Sequence, residues 1–500
     1  MCETWWRPFV SFHCQDFMTS LLPLLVDATP VHDLEHASLG DPRLDQRHKL
    51  ILRQMILAPS ASIPETFQED AQVQAYYRFT GNSRFSHHDL LEPHFLGVAQ
   101  RAEQLGHVHV IHDTTRLRFD VHDDFEREHL CRFGKNSQGF DWHCSLVCAP
   151  GSVRAPLGLI ASQPFAKASK VEGDTHDFWA QRDGVLDNEQ MRWMEGVERA
   201  EARLTQCARV THVMDREGDC FELLYAMQVS GYGAIIRACY DRRVLPEDDA
   251  HATKLFEALE QAPWLGERKI LLSKRPKSRA TKQNPARRKR KAKVKVRATR
   301  VELERPSSVP SAGESNKSVS CWAVEMLETK PPKGEAPARW VLLTTHELTN
   351  VEQAWEVVDG YQGRWLIEEY NKALKTGCQM RKSQQRSAEA LLKTLALAAP
   401  VAWYLLVLRY LAEQNEPIEA DQVMDSLELA LLREMRPKLL ERKRKPKVKD
   451  VMRALASLGG HLKHNGQPGW KTIERGRRKL ADRVEGARLF MRMNDTCDAS

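Results

Sequence analysis

The stretch DGYQGRWLIEEYNKALKTG, residues 359–377, decides how the rest of the chain is read. Wound as a helix at about 100° per residue, it sets Tyr361 about 60° from Arg364, Glu368 about 40° from it and Lys375 about 20° from it. The other side carries Leu366, Ile367, Tyr370, Ala373 and Leu374, the apolar stripe of a helix packed on a core. One carboxylate therefore stands between two cations and a phenol on the open face of an anchored helix. Such a face suits a polyanion approaching a metal ion, as phosphodiester chemistry requires. An exposed helix with an ordinary i,i+4 Arg–Glu pair gives the same pattern, so the surroundings have to decide between the two.

At 500 residues, 42 % of them apolar and 28 % charged, the chain is too long for one compact core and reads as about two to four globular domains. Its eleven cysteines are scattered, Cys144 and Cys148 coming closest to a pair. That usage points to a reducing cytoplasm and away from a disulfide scaffold or structural zinc. The net charge of +7 is local: between Arg268 and Arg300 there are sixteen Lys or Arg and no Asp or Glu. A solvated loop explains most charge runs, but this one ends in KVKVRATRVELE (residues 293–304), a strand pattern with cations on one face. A basic strand and loop suits contact with phosphates. No run is long and apolar enough to cross a membrane; Thr394 to Leu408, uncharged and containing Pro400, reads as a buried core helix. The opening MCETWWRPFVSF lacks the basic start of a signal peptide, and Met18 is a candidate beginning.

Asp41-Pro42 opens a helix carrying Leu44, His48, Ile51, Leu52 and Met55 at helical spacing. Pro59 to Pro64 breaks it, and a second helix runs through Val73, Tyr76, Tyr77 and Phe79 to a turn at Gly81-Asn82. With Arg43, Arg47, Arg53, Arg78 and Arg84 these make a small helical DNA-binding module. The period then changes. HVHVIHD reads as a strand ending in Asp113, Phe140 to Val147 and Leu157 to Ala161 as further strands, Gln190 to Leu204 as a helix, and ARVTHVMD as a strand ending in Asp215. Strands interleaved with helices indicate an α/β core. Between Tyr240 and Ala338 the helical pattern gives way to strands, basic residues and Pro-rich turns. WVLLTT, from Trp340 to Thr345, resumes the core. A lone Asp at a strand end is commonly a turn former or cap. Three acids bracketing one core, Asp113, Asp215 and Glu368, fit a centre holding two divalent cations, for which Mg²⁺ is the natural choice.

The Tyr-x2-Arg-x3-Glu-x6-Lys spacing resembles the signature of insertion-sequence-four family transposases, and within them the chain is most similar to the transposon-five group. GDPRLDQR (residues 40–47) and AYYRFTGN (75–82) resemble that group's N-terminal DNA-binding domain. HDTTRL (112–117) and VMDREGD (213–219) resemble the blocks around its first two catalytic acids. PPKGEAPARWVLLTT (331–345) resembles the run leading to the third, and LGGHLKHNGQPGW (458–470) its assembly domain. The likeness spans about residues 33 to 490.

That resemblance implies a DDE enzyme with an RNase H-like core: a mixed sheet flanked by helices, interrupted by a β-rich insertion, with helical terminal domains. The expected organisation is an extension (1–32), a DNA-binding domain (33–108), a split core (109–240 and 339–390), a basic insertion (241–338) and an assembly domain (391–500). Asp113, Asp215 and Glu368 would form the catalytic triad holding two Mg²⁺ ions, with Mn²⁺ as a substitute. Arg364, Lys375 and Tyr361 would contact the backbone of the transposon end, and Trp340 would receive a flipped base. Cutting would proceed by nicking, hairpin formation and opening, then strand transfer. The partners would be double-stranded transposon ends, target DNA and a second copy of the chain. Arg287, Arg288 and Lys295 are offered as DNA contacts on charge alone. A DNA-binding regulator without chemistry and a general metal-dependent nuclease are the alternatives.

Overall fold

The structure is a computed structural model. It describes residues 21–498 except 37, 122–126, 152, 168–172, 183–188, 246–252, 273–285, 310–316, 415–417, 441–444, 463 and 465–466. Trp5, Trp6, Met18 and the middle of the basic run therefore lie outside the described residues.

The chain opens on helices α1 (Pro42–Leu57), α2 (Ile63–Phe67), α3 (Asp70–Thr80) and α4 (His87–Leu105). Their limits are chemical. The Asp41 side chain accepts from the Arg43 amide ahead of Pro42, and Ser62 with Glu65 and Ser86 with Asp89 form capping boxes. Strands follow: β1 (His107–Asp120), β2 (Cys131–Gly134), β3 (Ser137–Cys148) and β4 (Pro156–Phe165). Helices α5 (Asp174–Arg182) and α6 (Glu189–Arg203) lead to β5 (Arg209–Met214), α7 (Phe221–Ser230) and β6 (Gly233–Arg237).

The basic region supplies β7 (Arg243–Leu245), β8 (Thr253–Lys254), α8 (Leu255–Gln261), β9 (Trp264–Leu272), β10 (Arg290–Glu304) and β11 (Ser318–Glu328). The short helix α8 corrects the expectation that this region lacks helix: Leu255 and Leu259 bury a stripe too brief to register as a period. After β12 (Arg339–Thr344) come α9 (Val351–Gly363), α10 (Trp365–Lys372), a single π-turn (Ala373–Gly377) and α11 (Ala388–Glu413). Helices α12 (Ser426–Met435), α13 (Pro437–Leu440), α14 (Val448–Leu458) and α15 (Trp470–Asp498) complete the chain.

Among the described residues twelve strands form one mixed sheet in the order β2-β3-β1-β5-β6-β12-β11-β10-β7-β8, with β4 on β3 and β9 on β10. Pairings β1–β5 and β5–β6 are parallel; the others are antiparallel. The strands of the basic region thus extend the central sheet. Helices cover both faces. Asp113 points toward α10, while its neighbour His112 points the other way, into a buried chain with Ser145, His212 and Glu201 of α6.

Helix α11 is the core helix expected from Thr394 to Leu408, extended at both ends. By length and composition it would suffice to cross a membrane, which the shorter run did not suggest; here its apolar window is wholly buried. It also fastens the N-terminal module. Lys393, fully buried, donates from Nζ to the Asn82 carbonyl. Thr394 meets the Tyr76 hydroxyl at 3.1 Å, and Gln385, just before the helix, donates to Thr80. On its other side the Ala399 carbonyl accepts from Tyr370 of α10 at 3.2 Å.

Candidate active site

Strands β1 and β5 run side by side only from His107/Arg209 to Ile111/Val213. Asp113 and Asp215 each lie two residues beyond that last pair, at matching heights where the strands part. The expected strand end at Asp113 is corrected: β1 continues to Asp120, because β3 pairs with it along the whole distance. What ends near Asp113 is the pairing with β5, and that opens the sheet there. Asp215 does end its strand. Its side chain accepts from the Glu217 amide at 2.9 Å and caps the turn Arg216–Gly218.

The third acid arrives on a broken helix rather than the continuous one expected from the spacing. At Arg364 the backbone tightens, with the Arg364 amide bonding to the Tyr361 carbonyl and the Ile367 amide to the Arg364 carbonyl. After Lys372 it widens into the π-turn, closed by the Cys378 amide on the Ala373 carbonyl at 2.8 Å. The apolar stripe is as read: Leu366, Ile367, Tyr370, Ala373 and Leu374 are all buried. Gly360 lets α9 close onto the sheet, since a Cβ there would come within 2.7 Å of Ile235 Cδ1.

Arg364 stands among the three acids. One of its terminal nitrogens lies 2.5 Å from Oε1 of Glu368, and the other 3.8 Å from Asp215 and 4.0 Å from Asp113. Burial pushes the Asp113 carboxyl up to about 7, opposed by Arg364 and reinforced by Asp215, Glu368 and Glu217. Burial also raises Glu368 against the pull of Arg364. Burial alone would weaken the Arg364 cation, but Tyr361 and the three carboxylates outweigh it and hold the guanidinium charged. The acids therefore share one positive charge. Among the described residues no three His, Cys, Asp or Glu side chains gather closely enough to hold a single ion; these three surround a guanidinium instead. Their donors are all carboxylate oxygens, a set that suits a hard divalent cation.

Two further bonds tie β1 to the helix. Asn371 donates from Nδ2 to Oδ2 of Asp113 at 2.9 Å, and Lys375 donates from Nζ to Thr115 Oγ1 at 2.5 Å. Burial, with Arg381 nearby, lowers the Lys375 pKa. Asn371 was not singled out from the sequence; its position three residues after Glu368 on the same side of a helix was the available signal.

Tyr361 is corrected from the open face to the interior: it is 6 % exposed, its ring edge-on to Trp340 with centroids 5.3 Å apart. Its hydroxyl lies 3.5 Å from Arg237 of β6, another residue the sequence reading missed. Trp340 itself is half-buried on β12. The structure thus gathers Asp113, Asp215, Glu368, Arg364 and Lys375 about one opening and sets the Trp340–Tyr361 pair behind Arg364.

The insertion residues lie elsewhere. Lys295 is on β10, four strands from β5, or about 19 Å at ordinary strand spacing. It also faces away from α9, because its neighbours Val294 and Val296 pair with Arg268 and Gly266, which meet Asp359 and Trp355 of that helix. Arg288 is exposed and Arg287 half-buried just before β10.

A groove of about 850 Å³ runs from Tyr77 and Gly81 of the N-terminal module to Arg381, Lys382, Arg386 and Ser387, which follow the π-turn. Arg43, Arg53, Arg78 and Arg84 are exposed on the module. Residues 31–85 match the family model for transposase DNA-binding. The matched segment covers α1 to α3, and it supports DNA as a partner and a DNA-binding transposase as the class of protein.

Proposed function

We propose that this protein is a DDE transposase of the insertion-sequence-four family, similar to the transposon-five group, which cuts out and rejoins a DNA element by metal-dependent phosphodiester chemistry. The observation that carries the reading is the convergence of Asp113, Asp215 and Glu368 on Arg364 at the opening between β1 and β5. The order β4-β3-β1-β5-β6, three antiparallel strands followed by two parallel ones, supports an RNase H-like core. The match at residues 31–85 supports DNA recognition by the N-terminal module.

In this reading Asp113, Asp215 and Glu368 hold two Mg²⁺ ions, which supply activation of the attacking oxygen and charge neutralisation at phosphorus. Arg364 is the mobile partner. It keeps the acids compensated in the free protein and turns its planar guanidinium to a phosphate when DNA enters, a bidentate ligand by geometry. Lys375 leaves Thr115 for a neighbouring phosphate as a point charge. Trp340, edge-on to Tyr361, receives a base displaced as the strand bends into a hairpin. The groove between Tyr77 of the module and Arg381, Lys382 and Arg386 offers cations to the backbone of the bound DNA. Two copies of the chain, joined through the C-terminal helices, would hold two transposon ends, and a second duplex would serve as target.

The test is cleavage of DNA bearing the inverted repeats that flank the gene, with Mg²⁺ and with EDTA. Nicked and hairpin intermediates confined to the repeat ends are expected with the metal alone. Cleavage indifferent to the repeats would favour a general nuclease, and binding without cleavage a regulator.

A further inference from the structure

We infer that Asn371 is a positioning residue for the Asp113 carboxylate, holding its plane so that one oxygen faces the centre; this rests on the metal-dependent reading above. Asn371 donates from Nδ2 to Oδ2 of Asp113 at 2.9 Å, whereas Oδ1 of Asp113 is the oxygen directed at Arg364. One oxygen is thus held by the amide while the other is left toward the centre. An aspartate carboxylate rotates broadly about its last torsion, so a single fixed donor on Oδ2 is enough to hold Oδ1 toward the opening.

With Asp113 ionised, the state that binds a metal, the amide has one consistent orientation: turned over, it would set its oxygen against a carboxylate oxygen and lose the bond, since only its nitrogen donates. Yet in this orientation its own Oδ1 is buried with no partner among the described residues, in a residue only 8 % exposed. Buried amide oxygens are nearly always satisfied. Among the described residues the bond to Asp113 is therefore the one that holds the Asn371 amide.

Register explains why this position serves. Four residues on from Asn371, Lys375 donates to Thr115, two residues on from Asp113. Four helical residues advance about 6 Å and two strand residues about 6.6 Å, so helix and strand are joined twice in step. The first of those joins fixes Asp113 to the element that carries Glu368. It sets one acid relative to another and not merely in place.

The experiment uses the full-length protein without DNA, titrated with Mn²⁺ and followed by the electron paramagnetic resonance of the free ion. In parallel, the Mg²⁺ concentration for half-maximal cleavage of end DNA is measured. Asn371→Leu keeps the volume and removes the donor; Asn371→Ala is the second variant should leucine not fold. A folded variant is expected to bind Mn²⁺ about 10–100-fold more weakly and to need correspondingly more Mg²⁺, with end binding as in the wild type. Unchanged Mn²⁺ affinity in either folded variant overturns the assignment. Asp113→Asn separates the two levels: if it too binds Mn²⁺ as the wild type does, the metal-centre reading fails, whereas if it alone loses Mn²⁺, only the role of Asn371 does.

Discussion

Nη2 of Arg364 lies 2.5 Å from Oε1 of Glu368, one helical turn away, while the same guanidinium also faces the two acids brought by β1 and β5. An exposed i,i+4 pair contributes only a few tenths of a kcal/mol. Here the pair is largely enclosed and has two further carboxylates within about 4 Å, so its main effect is to let three acids coexist at one opening. Removing the cation exposes that: Arg364→Met should leave the acids mutually repelling and cut end cleavage by about a hundredfold or more. Arg364→Lys should recover only part of it, because an ammonium cannot reach three carboxylates from one plane. Equal activity of the two variants in a cleavage time course would contradict this.

The acids themselves make the sharper test. Asp113→Ala, Asp215→Ala and Glu368→Ala should each lower Mg²⁺-dependent cleavage by more than about a thousandfold, beyond the 10–100-fold typical when only a supporting group is lost. Gel-shift affinity for end DNA should stay within a few-fold, since the N-terminal module is intact. Any one variant cutting at near wild-type rate would remove its residue from the triad.

The raised Asp113 pKa gives a pH signature in metal-free protein. Between about pH 4 and pH 7 the folded state keeps a proton there that the unfolded chain has released. Its stabilising contribution is therefore complete below about pH 4 and lost as pH rises to about 7. Asp113→Asn, which cannot ionise, should gain in melting temperature over the wild type as pH goes from 5 to 8. A difference that stays constant across that range would show that Asp113 titrates normally.

Trp340 should act late in the reaction. Trp340→Ala removes the ring packed on Tyr361, so first-strand nicking is expected to persist while hairpin product falls about tenfold or more; Trp340→Phe should fall between. Quantifying nick and hairpin on a denaturing gel decides it, and parallel loss of both products would mean that the tryptophan is needed only for packing.

Gly476 tests the C-terminal packing. A Cβ there would sit 1.8 Å from the Leu455 carbonyl oxygen, so α14 and α15 meet backbone to backbone. Gly476→Ala must push them apart, costing about 1–3 kcal/mol or more, seen as a lower melting temperature. A melt unchanged from the wild type would rule out that contact.

Much of this was legible because local chemistry agrees with the fold. Asp41-Pro42, the apolar stripe Leu366 to Leu374 and the uncharged core of α11 all say in sequence what they do in space. The illegible parts are those that neighbours decide. β1 outruns Asp113 because β3 pairs with it to Asp120, and no local signal marks where β5 leaves. Tyr361 is interior because β12 brings Trp340 against it from twenty-one residues upstream. The break at Arg364 and the π-turn at Ala373–Gly377 escape a constant 100° step; Asn371 falls on the right face by that step, but its importance depends on a strand two hundred and fifty-eight residues earlier.

Helix α11 grips the N-terminal module at Lys393 and Thr394 and the acid-bearing helix at Ala399. Those grips are five or six residues apart on one rigid rod, about 8–9 Å along its axis. The rod acts as a ruler. Inserting a single residue between those grips would shift the module against the acid-bearing helix by about 1.5 Å and turn it by about 100°.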